Sequence, residues 1–434
     1  MFLVSSLFAL SIRFVFFRCE VVALLEFKKG MQNDPLNKIV PTWVYSSLSD
    51  LTLCHESWPG ITCDPITKFV VGITLDRLDL TGDLKFQTLS NLKLLQNLSV
   101  SGNRFTAHCS TWICRITILP GRSPELWNLK YVNLSMNTFQ GRFPVGLVVS
   151  FRNLQQLKVL DLHSNGFSAD VGPILSELIN LEHLDLSNNQ FSGSLGDLSV
   201  ENVSGLANTV QFVNMNGNSF NGGIFKTYVM GLFRNLHSLD FGDTGITGEL
   251  PSFGNLLNLR VLRLGMNQLY GVVPEELLNG SLPIEELDLS GNGFTGSIQA
   301  VNSVTLNVLN LSSNSLSCTL PSVIKGCSSV DFSRNMVSGN MSDMQHWEAN
   351  LKILDLSSNK LLGSLPDLSK FGKMAMLNLH NNSLEGSLSP SFGAGFAFYE
   401  VDLSFNKLSG SIPSEVTMVI FLFIIISLLI NKEI

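Results

Sequence analysis

The sequence predicts an α/β solenoid: a curved, right-handed superhelix with one long parallel β-sheet on its concave face. Loops and 3-10 turns are expected outside, and a helical cap at the N-terminal end. Three observations carry that expectation. One phrase recurs, as in "ILDLSSNKLLGSLPDL" (Ile353–Leu368) and "EVDLSFNKLSGSIPSEV" (Glu400–Val416). Its asparagine returns at 103, 137, 165, 189, 218, 267, 292, 314, 335, 359, 382 and 406, with Thr244 and Leu78 in the same slot, which makes fourteen. All but one of the intervals between slots are 21 to 29 residues, the period of a stacked array rather than of separate domains.

Each letter of the pattern L-x-L-x-x-N-x-L-x-G has a mechanical role. The L-x-L alternation makes a short strand with one buried face; in "VLDLHSN", Leu160 and Leu162 point inward while Asp161 and His163 point out. The asparagine amide can bond backbone groups of its own and neighbouring coils that otherwise go unpaired. The later Leu or Phe, such as Phe167, Phe191 or Leu361, fills the core from the second side, and the Gly at 193, 248 or 363 suits a tight or left-handed turn. Pro251, Pro274, Pro321, Pro366 and Pro413 keep the returning segment from becoming helical. A strand spacing of about 4.8 Å gives a sheet roughly 60 Å long over fourteen coils. The period falls in the leucine-rich-repeat range, shorter than that of the helical repeats, and the expected array runs over residues 66–413. It is irregular at 107–125: Asn103 and Asn137 are 34 residues apart, and "AHCSTWICRITILPGRSPE" carries no copy of the phrase. The reading favoured here is a coil damaged by deletion rather than a loop insertion, because a structureless loop of that length is uncommon.

The composition and the chain ends set the context. The net charge of −7 and the lack of a basic run argue against a nucleic-acid partner. Residues 1–19, "MFLVSSLFALSIRFVFFRC", are expected to be a signal peptide. The 414–434 tail contains "VTMVIFLFIIISLLI", marginal in length as a transmembrane segment. Cysteines in local pairs (54 and 63, 109 and 114, 318 and 327) fit an oxidising compartment. Sequons at Asn97, Asn133, Asn202, Asn279, Asn310, Asn340 and Asn381 are glycosylation candidates there.

An open solenoid needs its first coil covered. Residues 20–65 supply a cap: Val21, Leu24, Leu25 and Met31 recur at helical spacing, Asp34-Pro35 ends the run, and Trp43 follows. "ALLEFKKGM", that tryptophan, a C-x8-C containing "SWPGITC", and coils reading "LDLSSNKLLGSLP" resemble the ectodomain of a plant leucine-rich-repeat receptor-like kinase over about residues 20 to 413. The resemblance implies a disulfide between Cys54 and Cys63. It also implies a cell-surface protein, plasma-membrane or extracellular, that binds a peptide or protein ligand and a co-receptor kinase. The tail departs from the family plan and reads either as a short membrane anchor or as unrelated sequence where an ectodomain was cut short. No Gly-rich phosphate loop, V-A-I-K, H-R-D or D-F-G appears in the 434 residues. A non-enzymatic recognition module is therefore expected, relaying through a partner kinase. The alternatives are a secreted inhibitor of a cell-wall-degrading enzyme and a truncated, non-functional receptor fragment.

No catalytic, cofactor or metal site is expected, since G-x-S-x-G, H-E-x-x-H, the P-loop and the EF-hand motif are all missing. His55 beside Cys54 hints at a metal cluster, but the cap disulfide is the stronger reading. The acidic column at Asp161, Asp185, Asp240, Asp288, Asp331, Asp355 and Asp402 reads as a solvated concave face, because Asn133, Asn214, Asn310 and Asn378 share it. Cys318 and Cys327 are left as either a local disulfide or two part-buried thiols. For ligand contact the informative residues are outward positions that depart from the repeat consensus: His163, Arg263, Met266, Arg334, His380 and Phe405.

Overall fold

The structure is a computed structural model that describes residues 20–44, 54–106, 128–143, 154–348, 350–390, 392 and 398–411. It divides into two compact units, Met1–Phe220 and Asn221–Ile434. The expected signal segment 1–19, all of 107–125 and the tail from 412 lie outside the described residues. Among the described residues no helix is long and apolar enough to cross a membrane.

The first unit opens with a helix over residues 20–28 that buries Val21, Ala23, Leu24 and Phe27, an apolar stripe at helical spacing. Met31 does not continue it, contrary to the spacing argument. Gly30 sits against the backbone of the first coil, where a Cβ would lie 2.3 Å from the Asp83 carbonyl oxygen. The next residues, Met31–Asn33, become a strand antiparallel to Thr81–Gly82. The cap is closed by Trp43, fully buried and stacked on Trp58 with centroids 5.6 Å apart. Its indole N–H donates to the Pro59 carbonyl at 3.0 Å. Cys54 and Cys63 are disulfide-bonded, with Cα atoms 5.9 Å apart.

Ile61–Cys63 runs antiparallel to Val70–Thr74, and from there the strands are parallel: Asn97–Ser99, Tyr131–Asn133, Val159–Asp161, His183–Asp185 and Phe212–Asn214. The long interval is resolved by register. Leu98 pairs directly with Val132, and the Asn137 amide donates to Val100 O at 2.9 Å. The slots at 103 and 137 thus belong to consecutive rungs, whose strands pair directly in the sheet.

In the second unit eight strands follow in parallel: Ser238–Asp240, Val261–Arg263, Glu286–Asp288, Val308–Asn310, Ser329–Asp331, Ile353–Asp355, Met376–Asn378 and Glu400–Asp402. The central residue of each is buried, Leu262, Leu287, Leu309 and Leu354 completely so. With the six parallel strands of the first unit these make fourteen rungs, one per slot.

The asparagines act as expected. Asn292 donates Nδ2 to Leu264 O (2.9 Å), Leu289 O (3.1 Å) and Ser290 O (3.0 Å), and its Oδ1 accepts Leu269 N at 2.9 Å. One amide thereby pairs four backbone groups on two rungs. Thr244 substitutes with its hydroxyl, donating to Phe241 O at 2.8 Å.

The return side holds more than loops and 3-10 turns. Short parallel strands form a second layer, including Gly166–Asp170 with Gln190–Ser194, Gln268–Val272 with Gly293–Thr295, and Lys360–Gly363 with Ser383–Ser387. Three short α-helices, Val171–Glu177, Val200–Ala207 and Thr227–Met230, occupy coils that lack the G-x-L-P phrase. Pro173 falls in the first turn of its helix, where no N–H is needed. Loss of the repeat proline permits a helix without requiring one: the coil after Asn292, which reads G-S-I-Q, forms none.

Candidate ligand-recognition face

Each rung presents four outward positions: the first and third strand residues and the two turn residues before the ladder asparagine. The third position, the acidic column, is not a solvated face. Its side chains are half-buried to buried and fasten the backbone where the strand ends. Asp185 Oδ1 accepts Ser187 N (2.9 Å) and Ser187 Oγ (2.6 Å). Asp331, Asp355 and Asp402 accept the amide two residues on at 2.8 to 2.9 Å. Asn133, Asn214, Asn310 and Asn378 accept in the same way through Oδ1, which is why Asp and Asn interchange here. Burial pushes the carboxyls of Asp161, Asp240 and Asp331 up, against the hydrogen bonds that pull them down.

The position just before the ladder slot is left-handed on every rung. Arg77, Met136, Ser164, Asn188, Asp243, Met266, Ser313, Arg334, Ser358, Asn381 and Phe405 have φ between 49° and 56°, Asp243 lowest and Met266 highest, except that glycine fills it at 102, 217 and 291. A left-handed backbone costs a residue with a Cβ about 1–2 kcal/mol, and Gly, Asn or Asp meets it best. Three of the expected ligand contacts, Met266, Arg334 and Phe405, stand at this position, and all are exposed. Met266 lies over Gly291 of the next rung, where a Cβ would come within 2.6 Å of its Sδ. Arg334 makes no side-chain hydrogen bond or ion pair among the described residues. Phe405 packs edge-to-face on His380, centroids 5.0 Å apart.

The other expected contacts are already engaged. Arg263 donates Nε and Nη2 to Glu286 at 2.6 and 2.8 Å and approaches Asp240 at 3.7 Å. His163 Nδ1 lies 2.7 Å from Asp161 Oδ1, and His380 Nδ1 lies 2.7 Å from Ser404 Oγ. In the second unit the structure thus brings His380 and Phe405 together and places Arg263 and Met266 on one rung. His163 belongs to the first unit. Among the sequons, Asn97, Asn279, Asn340 and Asn381 are exposed, while Asn133, Asn202 and Asn310 are half-buried. Cys318 and Cys327 are free and buried; Cys109 and Cys114 lie outside the described residues.

Sequence reasoning passed over one feature of the first unit. His183 stacks on Phe212, centroids 4.2 Å apart and planes 3° from parallel. Both occupy the first strand position of adjacent rungs, and burial pushes the imidazole pKa down. The signal was available: Tyr131, His183 and Phe212 are aromatic where most rungs carry aliphatic or small residues.

Comparison with known proteins fits this geometry. Residues 20–64 match the leucine rich repeat N-terminal domain, and 155–208, 305–327 and 350–371 match leucine-rich-repeat families. A probable inactive receptor kinase of Arabidopsis thaliana is 48% identical over 76% of this chain and 32% of its own length. This is a leucine-rich-repeat protein of the plant receptor type. The leucine-rich-repeat chain spans about a third of the length of the first curated relatives it matches, 32% and 38%. Among solved structures, a TDR receptor superposes with a TM-score of 0.68 at 28% identity, covering 80% of this chain and 57% of that one. The plant peptide hormone receptor RGFR1, solved in complex with RGF2, shares the fold at a TM-score of 0.56 and 22% identity, covering 78% and 59%.

Proposed function

We propose that this chain is a non-enzymatic recognition ectodomain that binds an extended peptide or protein segment along the outer face of its second unit. It acts in the secretory pathway or at the cell surface and relays binding through a partner kinase. The observation that carries the reading is the set of bulky residues held left-handed and exposed. Met266, Arg334 and Phe405 occupy a position where the backbone favours glycine or asparagine, and they present an apolar, a cationic and an aromatic group to solvent. Strain of this kind is retained where the side chain has another use. Met266 and Phe405 are six rungs apart, about 29 Å at the spacing of parallel strands, enough for eight or nine extended residues of a partner. Arg334 lies between them and offers a free guanidinium to a carboxylate or a backbone carbonyl. The relatives are receptor kinases and receptors, which supports this reading over an enzyme inhibitor.

Panning a random dodecapeptide library against the folded chain tests it. Selected peptides should lose at least tenfold in affinity to R334A and to F405A, and little to Y270A, an exposed residue of the second strand layer. Equal loss on Y270A, or none on the first two, would overturn the assignment of this face.

A further inference from the structure

We propose that Asp161, His163 and Asp185, on two adjacent rungs of the first unit, form a binding site for one divalent transition-metal ion. Each side chain offers one ligand atom, and these atoms lie within 4.8 Å of one another. The repeat gathers them. Asp161 and Asp185 are register partners on neighbouring parallel strands. His163, two residues past Asp161, brings Nδ1 to 2.7 Å from Asp161 Oδ1. Tetrahedral coordination with bonds of about 2.0–2.2 Å sets ligand atoms roughly 3.4 Å apart. Side-chain rotation of about an ångström suffices to close the set, the metal replacing the proton between imidazole and carboxylate.

This pair differs from other carboxylates of the column. Asp240 is approached by Arg263. Asp331 and Asp355 are also register partners, but serines stand at 333 and 357 where His163 stands here. Asp161 and Asp185 face each other half-buried, with no lysine or arginine bonded to either among the described residues. Their repulsion adds to the burial that holds the Asp161 carboxyl up. Asp185 is oriented from behind: Asn214 Nδ2 donates to its Oδ2 at 3.2 Å, and Ser187 holds its Oδ1. Such outer bonds fix a ligand carboxylate in metal sites generally. One imidazole with two carboxylates favours zinc, cobalt(II), nickel or copper(II) over calcium and magnesium. Three protein ligands leave a position open on the outer face for water or for a donor atom of a bound partner.

Cobalt(II) titration of the untagged chain, read by visible absorption, and zinc calorimetry test the site. One ion per chain and a tetrahedral cobalt spectrum are expected, with affinity falling at least tenfold in H163A. D185N should show the same loss; because its side chain also holds Ser187, H163A, checked by circular dichroism, is the deciding variant. H380A, whose imidazole stands 3.7 Å from Asp402 with Asn378 in place of a second carboxylate, should bind as the unaltered chain does. Binding that H163A leaves unchanged, or that H380A reduces equally, overturns the proposal, as does the absence of saturable binding.

Discussion

Arg263 and Glu286 form a two-point ion pair across adjacent rungs, Nε to Oε1 at 2.6 Å and Nη2 to Oε2 at 2.8 Å. Arg263 replaces the Asp or Asn that fastens the backbone on other rungs, so its rung lacks that contact and gains a charge pair instead. The hydrogen bonds it donates to Glu286 first, and the nearby carboxylates after, hold the guanidinium charged. Side-chain exposures of 43% and 29% leave the pair well screened. A double-mutant cycle over R263A and E286A, by urea unfolding, should give a coupling of about 0.5–1 kcal/mol that shrinks in 1 M salt. A coupling indistinguishable from zero at low salt would show that the pair does not persist in solution.

The left-handed position makes a sharper prediction, because the fold and the proposed function pull in opposite directions there. Replacing Met266 by glycine removes the Cβ conflict at φ 56°, whereas alanine keeps it. M266G should be more stable than M266A by about 1 kcal/mol, the reverse of the order in a helix or strand interior. Thermal unfolding of the two variants checks this. If alanine proves the more stable, the backbone at 266 is not left-handed.

Much of the architecture was legible because leucine and asparagine act locally and periodically. Leu160, Leu162 and Asn165 announce the strand, its buried face and the ladder amide from their spacing alone. The left-handed position was not legible. It is imposed by the turn into the ladder, and its occupants range from Gly102 to Phe405 with no shared chemistry. Arg263 read as a ligand contact for a similar reason: Glu286, its partner, is 23 residues away and becomes a neighbour only through strand register. Met31 was misread because helical spacing continued past Gly30, while the first coil captured the backbone there. The second strand layer escaped notice because its strands are held by adjacent coils rather than by their own alternation.

The two free cysteines should be inert in the folded protein. Cys327 takes the place of a core leucine three residues before Val330 and is 3% exposed; burial pushes its thiol up to about 12. Burial also raises Cys318. The thiolate is the reactive form, so iodoacetamide at pH 8 should leave both unmodified in the native chain and alkylate both in urea, as read by peptide mapping. Alkylation of Cys327 under native conditions would contradict its place in the core.

Glu20 gives the cap a pH dependence of defined sign. Its Oε2 accepts the Val70 amide at 3.0 Å, tying the first helix to the first strand of the parallel run, while Oε1 is buried with no hydrogen-bond partner among the described residues. Desolvation outweighs that bond and raises the carboxyl to about 7 from an ordinary 4.5. The folded state therefore holds the proton more tightly than the unfolded chain. The stability this contributes is fully present below about pH 4.5 and is lost as pH rises towards 7. Glutamine keeps an acceptor for Val70 and cannot ionise. The melting temperature of E20Q minus that of the unaltered chain should therefore grow more positive from pH 5 to pH 8 and then level. A difference that is flat across that range would mean Glu20 ionises normally and that the cap admits water beside it.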